Sequence, residues 1–386
     1  MDVTDSPEQA ELRNVIRQFL ARHGSPTRPR AAPLSPAGPP APYTPDSPAI
    51  KALSGSSSGT DGTGDLGEYD EAAWKRLTGE LGLTALAVPE RYGGMGATLA
   101  EVAVAVEEIG RVLLPVPYLS SALAAAVLAE AAASGAGAGA AGELLPGLAG
   151  GSLIGAFALA PGVTSRGGRL SGTARHVLDG PQADVFVVRA DDALVAVRAA
   201  DATVTPAATL DQTRGQATVE FDGTPALRVS PDGDGGTLAR RAEELMRTAL
   251  AAESASAAGH CLSVTVEYLK TRVQFGRPVG SFQALKHRCA DLAVEVESAR
   301  MTARAAVRAA TSSPDELAVA APLAKRYCAD VFFRSAAEMI QMHGGIGFTW
   351  EHEAHLYLKR AKSTQLLYGS PSELRTLVGR RAGLLG

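Results

Sequence analysis

The sequence predicts an α+β protein in three parts: an N-terminal helical domain, a small middle β domain and a C-terminal domain resembling a four-helix bundle. Three observations predict it. Strand-length runs of Val and Phe, separated by Gly, Asp and Pro, are concentrated between Gly151 and Val229. From Thr237 onward, apolar residues recur at three- and four-residue steps over lengths that only helices reach. Shorter stretches of the same period come before the strands. The expected boundaries are 1–145, 146–232 and 233–386. A chain of 386 residues with 46% hydrophobic content can build a core of that size.

The N-terminus, "MDVTDSPEQAELRNVIRQFL", is acidic and amphipathic, which predicts a helix where a signal peptide would be basic and then apolar. From about Gly24 to Gly67 the chain is built from Pro, Ser, Gly and Ala, a composition with too little apolar surface to order itself, and this predicts a flexible insert. Helical periodicity returns at Glu71–Leu81 and Leu99–Leu113, with "VPERYGGMG" as the loop between them. The Ala-rich stretch Ala122–Ala133 is too short and too weakly apolar to span a bilayer, and the following "ASGAGAGAAG" reads as low complexity. The runs "LIGAFALA", "ADVFVVRA", "ALVAVRA" and "QATVEF" are the strands. One long Ala-rich helix is expected over 237–271. A second, Ser281–Ser312, places Phe282, Leu285, Cys289, Leu292, Val296, Ala303 and Val307 on one face. A third covers about Glu316 to Met342, with Pro322 tolerated near its first turns. Short connections make these helices antiparallel neighbours.

The net charge of -4 and the lack of a concentrated Lys/Arg block argue against a nucleic-acid partner. Cys261, Cys289 and Cys328 stand singly in helical stretches without metal-ligand spacing, as buried thiols of a reducing cytoplasm do. No apolar run is long enough for a membrane span, so a cytoplasmic location is expected.

Two stretches carry chemistry. The loop "KTRVQFGRPVGSFQALKH" sets Arg272, Phe275 and Arg277 around Gly276 and Gly280, just before a helix start whose free amides favour an anion. A guanidinium can grip a pyrophosphate and a ring can cover an adenine; the alternative is a solvated basic loop anchored by a buried Phe. In "MIQMHGGIGFTWEHEAHLYLKR", Gly344 and Gly345 interrupt an amphipathic helix. They either end it in a left-handed cap or let the backbone lie against something that tolerates no side chain.

Together these stretches resemble the acyl-CoA dehydrogenase family: "RVQFGRPVGSFQALKHRCADL" and "QMHGGIGFTWEHEAHLYLKRA" are similar to its two signatures, and "ELGLTALAVPERYGGMGATLAEVAVAVEEIGR" to its helical-domain signature. The resemblance implies that family's fold, with FAD at a subunit interface. It implies that Arg272, Gln274, Phe275 and Gln283, with Gln341, Gly344 and Gly345, meet the adenosine diphosphate half of a neighbour's flavin, the glycines as points of close approach. It also implies an acyl-CoA or acyl-carrier thioester as substrate, a homo- or hetero-oligomer with a related dehydrogenase subunit, and a separate electron-transfer acceptor.

Two departures qualify the resemblance. In "LLYGSPSEL", Tyr368 stands where the family has its catalytic glutamate, with Gly369 and Ser370 in place of the Gly and Thr that follow it on the flavin side. The alternative glutamate position falls on Met246, while Glu244 lies on another helical face and Arg247 matches an arginine kept beside the base. A phenol is a poor base at neutral pH. The β-domain segment "FALAPGVTSRGGRLSGTARHVLDG" lacks the family's Thr-Glu pair, Gly-Ser-Asp run and Trp. Three readings therefore compete. They are a dehydrogenase in which Tyr368 has taken over or the base has moved, the base-less subunit of a heteromeric dehydrogenase, and the same fold recruited to non-redox chemistry or binding.

Overall fold

The computed structural model describes residues 5–23 and 69–385, apart from 136, 160 and 232–234. The expected flexible insert at about 24–67 lies outside the described residues.

Helix α1 (Pro7–His23) is pinned to α3 (Leu99–Arg111) by Arg13 and Arg17, which both reach the fully buried Glu108 carboxylate at 2.8 Å. Between them in sequence, α2 (Glu71–Gly79) starts where the Asp70 side chain accepts from the Ala73 amide, and α3 starts with a Thr98/Glu101 capping box. Two helices then follow where the sequence shows only an Ala-rich stretch and low complexity: α4 (Tyr118–Ala133) and α5 (Ala138–Ala149). Nearly every residue of α4 is buried, so it shows no polar face and no amphipathic signal. Gly139 and Gly142 within α5 carry a propensity penalty that the burial of Leu144, Leu145 and Leu148 against the core overrides.

The β region holds two four-stranded sheets. In the first, β1 (Gly155–Ala158) lies parallel to β4 (Val185–Ala190), and β5 (Ala193–Arg198) and β8 (Leu227–Arg228) complete the order β1-β4-β5-β8. The second is antiparallel, β2 (Val163–Arg166), β3 (Arg169–Leu178), β7 (Gln216–Pro225) and β6 (Thr203–Pro206) in the order β2-β3-β7-β6. Ala156, Val163, Leu170, Phe186, Val188, Val219 and Phe221 form the core shared by these strands. The β3–β7 register slips between Ala174 and Val177, a bulge that leaves Arg175 and His176 exposed, His176 with φ +56°.

Helix α6 (Gly235–Thr271) runs through the middle of the C-terminal part, packed against α3, α7 (Gln283–Ser312) and α8 (Pro314–His343). The α7 face is as expected, with Leu292, Val296 and Ala303 buried, although the α-helix starts at Gln283 after a 3-10 turn over Val279–Ser281. Ser313 caps α8 and Pro314 takes its first position, where a missing N–H costs nothing. Two shorter helices close the chain, α9 (Ala354–Leu366) and α10 (Pro371–Arg381).

A buried charge cluster joins the β region to the helices. From the loop after β6, Asp211 Oδ2 lies 2.6 Å from Arg360 Nε on α9, and Arg360 Nη1 donates to Glu253 Oε1 on α6 at 2.8 Å. Arg214 pairs with the same Glu253 carboxylate. Beside them Asp179 accepts from the Ser120 hydroxyl at 2.6 Å. Burial pushes Asp179 up to about 6 from 3.8, against the pull of Ser120 and the two arginines. An acid with a raised folded-state pKa stabilises fully below its unfolded value and loses that contribution as pH rises through the folded one. Asp179→Asn keeps the geometry without the titration, and Asn tolerates the left-handed φ of +56°. The variant is expected to melt with the wild type near pH 4 and to be up to about 3 kcal/mol more stable above pH 6. Melting curves at the two pH values check it; a gap that does not widen refutes it.

Candidate active site

A cleft of about 1130 Å³ opens between the β region and the last helices. Phe157 and Leu159 at the end of β1, the bulge residues Arg175 and His176, and the loop Ala207–Leu210 form one wall. Residues of α9, the turn Leu367–Gly369 and one face of α10 form the other, and Glu243 and Arg247 reach it from α6. Tyr368 is half-buried in this cleft with a left-handed φ of +54°. Arg247 Nε donates to the Tyr368 carbonyl at 3.0 Å and Arg247 Nη2 to Glu243 Oε2 at 2.9 Å. Arg247 is thus tied down inside the protein. Burial, and after it the negative charges of Asp179 and Glu243, pushes the Tyr368 phenol further up from its ordinary value. It is a hydrogen-bond donor at neutral pH, not a proton acceptor.

Met246 is buried in the core and Glu244 is turned away from the cleft, pairing with Arg381 on α10 at 2.9 Å. Glu243 and Glu373 are the carboxylates that line the cleft, and neither figures among the residues the sequence points to. For Glu243, the i,i+4 spacing to Arg247 was the available signal. Its charge is engaged by Arg247 and, at 3.9 Å, by Arg189 on β4. His176 gave no signal at all, because a bulge is decided by the partner strand. Ser370 is spent as the cap of α10, its hydroxyl donating to Glu373 Oε2 at 2.7 Å in a capping box.

The other expected site residues lie elsewhere. Beyond the C-terminus of α6, β9 (Val273–Gln274) and β10 (Arg277–Pro278) pair as a hairpin whose two-residue turn is Phe275-Gly276, with φ +52° and +75°. Phe275 is 91% exposed, so it does not anchor the loop. Phe282 fills that role, its ring 6.1 Å from Phe275 and 4.1 Å under the Arg277 guanidinium. Arg272 and Gln274 are exposed, and the Arg272 side chain has no partner among the described residues. Gln283 opens α7 with no side-chain cap, which leaves the first amides of that helix free. Gln341, Gly344 and Gly345 are exposed at the end of α8. Tyr268 joins the two loops, stacking on His343 at 4.3 Å and donating to its carbonyl at 3.3 Å.

The two interrupting glycines are not alike. Gly344 has φ +61° and ψ −138°, which is not a left-handed cap but a conformation open to glycine alone. At Gly344 and Gly345 an added Cβ would meet nothing within 4 Å of this chain, whereas at Gly347 it would strike the Ile340 carbonyl at 2.5 Å. Close approach within the chain is therefore the work of Gly347; the bareness of Gly345 leaves its outer surface open.

Arg247 lies about a third of the way along the uninterrupted α6 and Arg272 just past its end, so at 1.5 Å per residue they are about 37 Å apart along the helix. The cleft and the basic, aromatic loop are two separate regions of one chain.

A helical domain, paired β-sheets and a helical bundle thus carry a cleft against the first third of the central helix and an anion-ready loop just beyond its C-terminus, the architecture of the acyl-CoA dehydrogenase fold. The chain belongs to the acyl-CoA dehydrogenase family: that family's N-terminal domain matches residues 62–152 and its C-terminal domain residues 233–383. It is 37% identical to acyl-CoA dehydrogenase IpdE2 of Mycobacterium tuberculosis over 96% of each chain. Among solved structures it is similar to a variant of the Tcur3481–Tcur3483 steroid acyl-CoA dehydrogenase (29% identity, TM-score 0.80, 97% of this chain and 98% of that one). It is also similar to the ChsE4–ChsE5 complex of Mycobacterium tuberculosis (25% identity, TM-score 0.82, all of both chains). No helix among the described residues is long and apolar enough to cross a membrane.

Proposed function

We propose that this chain is a subunit of a heteromeric, FAD-dependent acyl-CoA dehydrogenase that carries out α,β-dehydrogenation of an acyl thioester, with the proton acceptor on a related partner subunit. The observation that carries this is that the cleft offers no free carboxylate beside Tyr368 among the described residues: the phenol is held protonated, Glu243 is engaged by Arg247 and Arg189, and Glu373 caps α10. The similarity to two complexes named as pairs, one of them a steroid enzyme, points the same way and suggests a bulky acyl group.

The residues present fit the adenosine diphosphate half of the cofactor. Arg272 offers an unpaired guanidinium to a pyrophosphate, the free amides at the start of α7 offer donors, Phe275 offers an uncovered ring, and Gly345 blocks nothing. When bound, the flavin supplies the acceptor for the β-hydride. In the cleft, Phe157, Leu159 and Leu366 exclude water from an acyl chain, and Arg247 holds the turn that carries Tyr368. The Tyr368 hydroxyl can donate to an oxygen of the bound acyl group, but it does not take the α-proton, and Glu243 is engaged by two guanidinium groups.

Arg272→Ala is expected to lower flavin affinity roughly ten- to a hundredfold, the loss of a charge-assisted contact of about 1.5 to 3 kcal/mol. Flavin absorbance of the purified protein, alone and with a related dehydrogenase subunit, is the measurement. Undiminished retention in the variant removes Arg272 from the site. A stable protein that stays colourless in both preparations would favour the non-redox reading.

A further inference from the structure

Lys325 is buried on α8, 1% exposed, and takes no part in the chemistry above. Its Nζ donates to the Gln365 carbonyl at 2.9 Å and to the Gly369 carbonyl at 2.7 Å. Arg247 holds the Tyr368 carbonyl between them. Three carbonyls at the end of α9 are thus gripped from two other helices, and the gripped turn has φ +54° at Tyr368 and +117° at Gly369. A left-handed tyrosine persists only where its surroundings dictate it.

We propose that Lys325 is a positioning residue that sets the Tyr368 turn as a neutral amine, and that taking up a proton loosens the turn and with it the wall of the cleft. A neutral amine has two N–H donors, and the two carbonyls satisfy both. An ammonium has three, and the third finds no acceptor among the described residues. The charged groups facing Lys325 are Arg247 from α6, Asp330 on its own helix and Glu373 from α10. Asp330 is itself occupied by Gln365 Nε2 at 3.0 Å and by Arg326 at 3.8 Å. Burial, and then the Arg247 charge, pushes Lys325 down to about 7 from 10.5. Opening the turn to water restores the higher value, so protons favour the open turn. The hold is complete above about 10.5, weakens as pH falls and stops changing below about 7.

Amide hydrogen exchange of the assembled protein at Leu367 and Ser370 tests this, corrected for intrinsic exchange, from pH 5.5 to 9. Protection is expected to be flat below pH 7 and to rise by up to about tenfold per pH unit above it. Lys325→Met and Lys325→Arg should both be less protected and flat across the range, since neither can present a neutral amine. Should both fail to fold, Asp330→Asn is the second variant. Removing a carboxylate that favours the ammonium moves the onset of the rise to lower pH. Flat protection in the wild type, a wild-type slope surviving in either lysine variant, or an onset unmoved by Asp330→Asn each overturns the proposal. None of these readouts depends on flavin or turnover, so the dehydrogenase reading can fail while this one stands.

Discussion

Tyr368→Glu, in a flavin-loaded preparation of the isolated chain, is expected to raise acyl-CoA oxidation by about a hundredfold or more, within the ~10²- to 10⁴-fold that a placed general base contributes. The wild-type chain alone should turn over little or not at all. Its phenol is held above an already high pKa by burial and by the carboxylates of Asp179 and Glu243, so at neutral pH it has no capacity to accept the α-proton. A carboxylate at the same position would stand beside Arg247, which favours its ionised form. Tyr368→Phe should change turnover little once a partner supplies the base. Dye reduction with a series of acyl-CoA thioesters reads all three proteins. Robust turnover by the isolated wild type that vanishes in Tyr368→Phe would make the phenol catalytic and end the heteromer reading.

The largest stability effect is expected at Arg360. Arg360 is 3% exposed; its guanidinium ion-pairs with Asp211 and donates to Glu253 and Thr213, and so joins α9, α6 and the loop leading to β7. Arg360→Met leaves two buried carboxylates with Arg214 as their remaining guanidinium partner, and breaking such a set typically costs about 3 to 5 kcal/mol. A denaturant melt should show that loss. The double variant Arg360→Met/Asp211→Asn should recover part of it, because one of the stranded charges is gone. A single-variant loss below about 1 kcal/mol would show that water relieves the cluster and that it does not clamp the β region to the helices.

The parts of this protein that its sequence determined by itself are those governed by local rules. The α7 face is legible because a 3.6-residue period places Leu292, Val296 and Ala303 together whatever lies opposite. The strands are legible because short Val- and Phe-rich runs between Gly, Asp and Pro suit little else. The two signatures carry Arg272, Phe275 and the Gly344–Gly345 turn in unbroken stretches of chain. Tertiary structure alone decided the rest, since it depends on what lies opposite. Helix α4 is buried over nearly its whole surface and lacks the alternation that would announce it. Phe275 and Phe282 look equally fit to anchor a loop, and only their neighbours leave the first bare and place the second under Arg277. Glu243 enters the cleft and Glu244 leaves it because adjacent residues on a helix point about 100° apart, and the direction of the cleft is set by α9, α10 and the β3 bulge. The unbroken course of α6 was legible, because the sequence expects one long helix over 237–271; that the cleft opens beside Glu243 and Arg247 on that helix was not, because it follows from long-range packing.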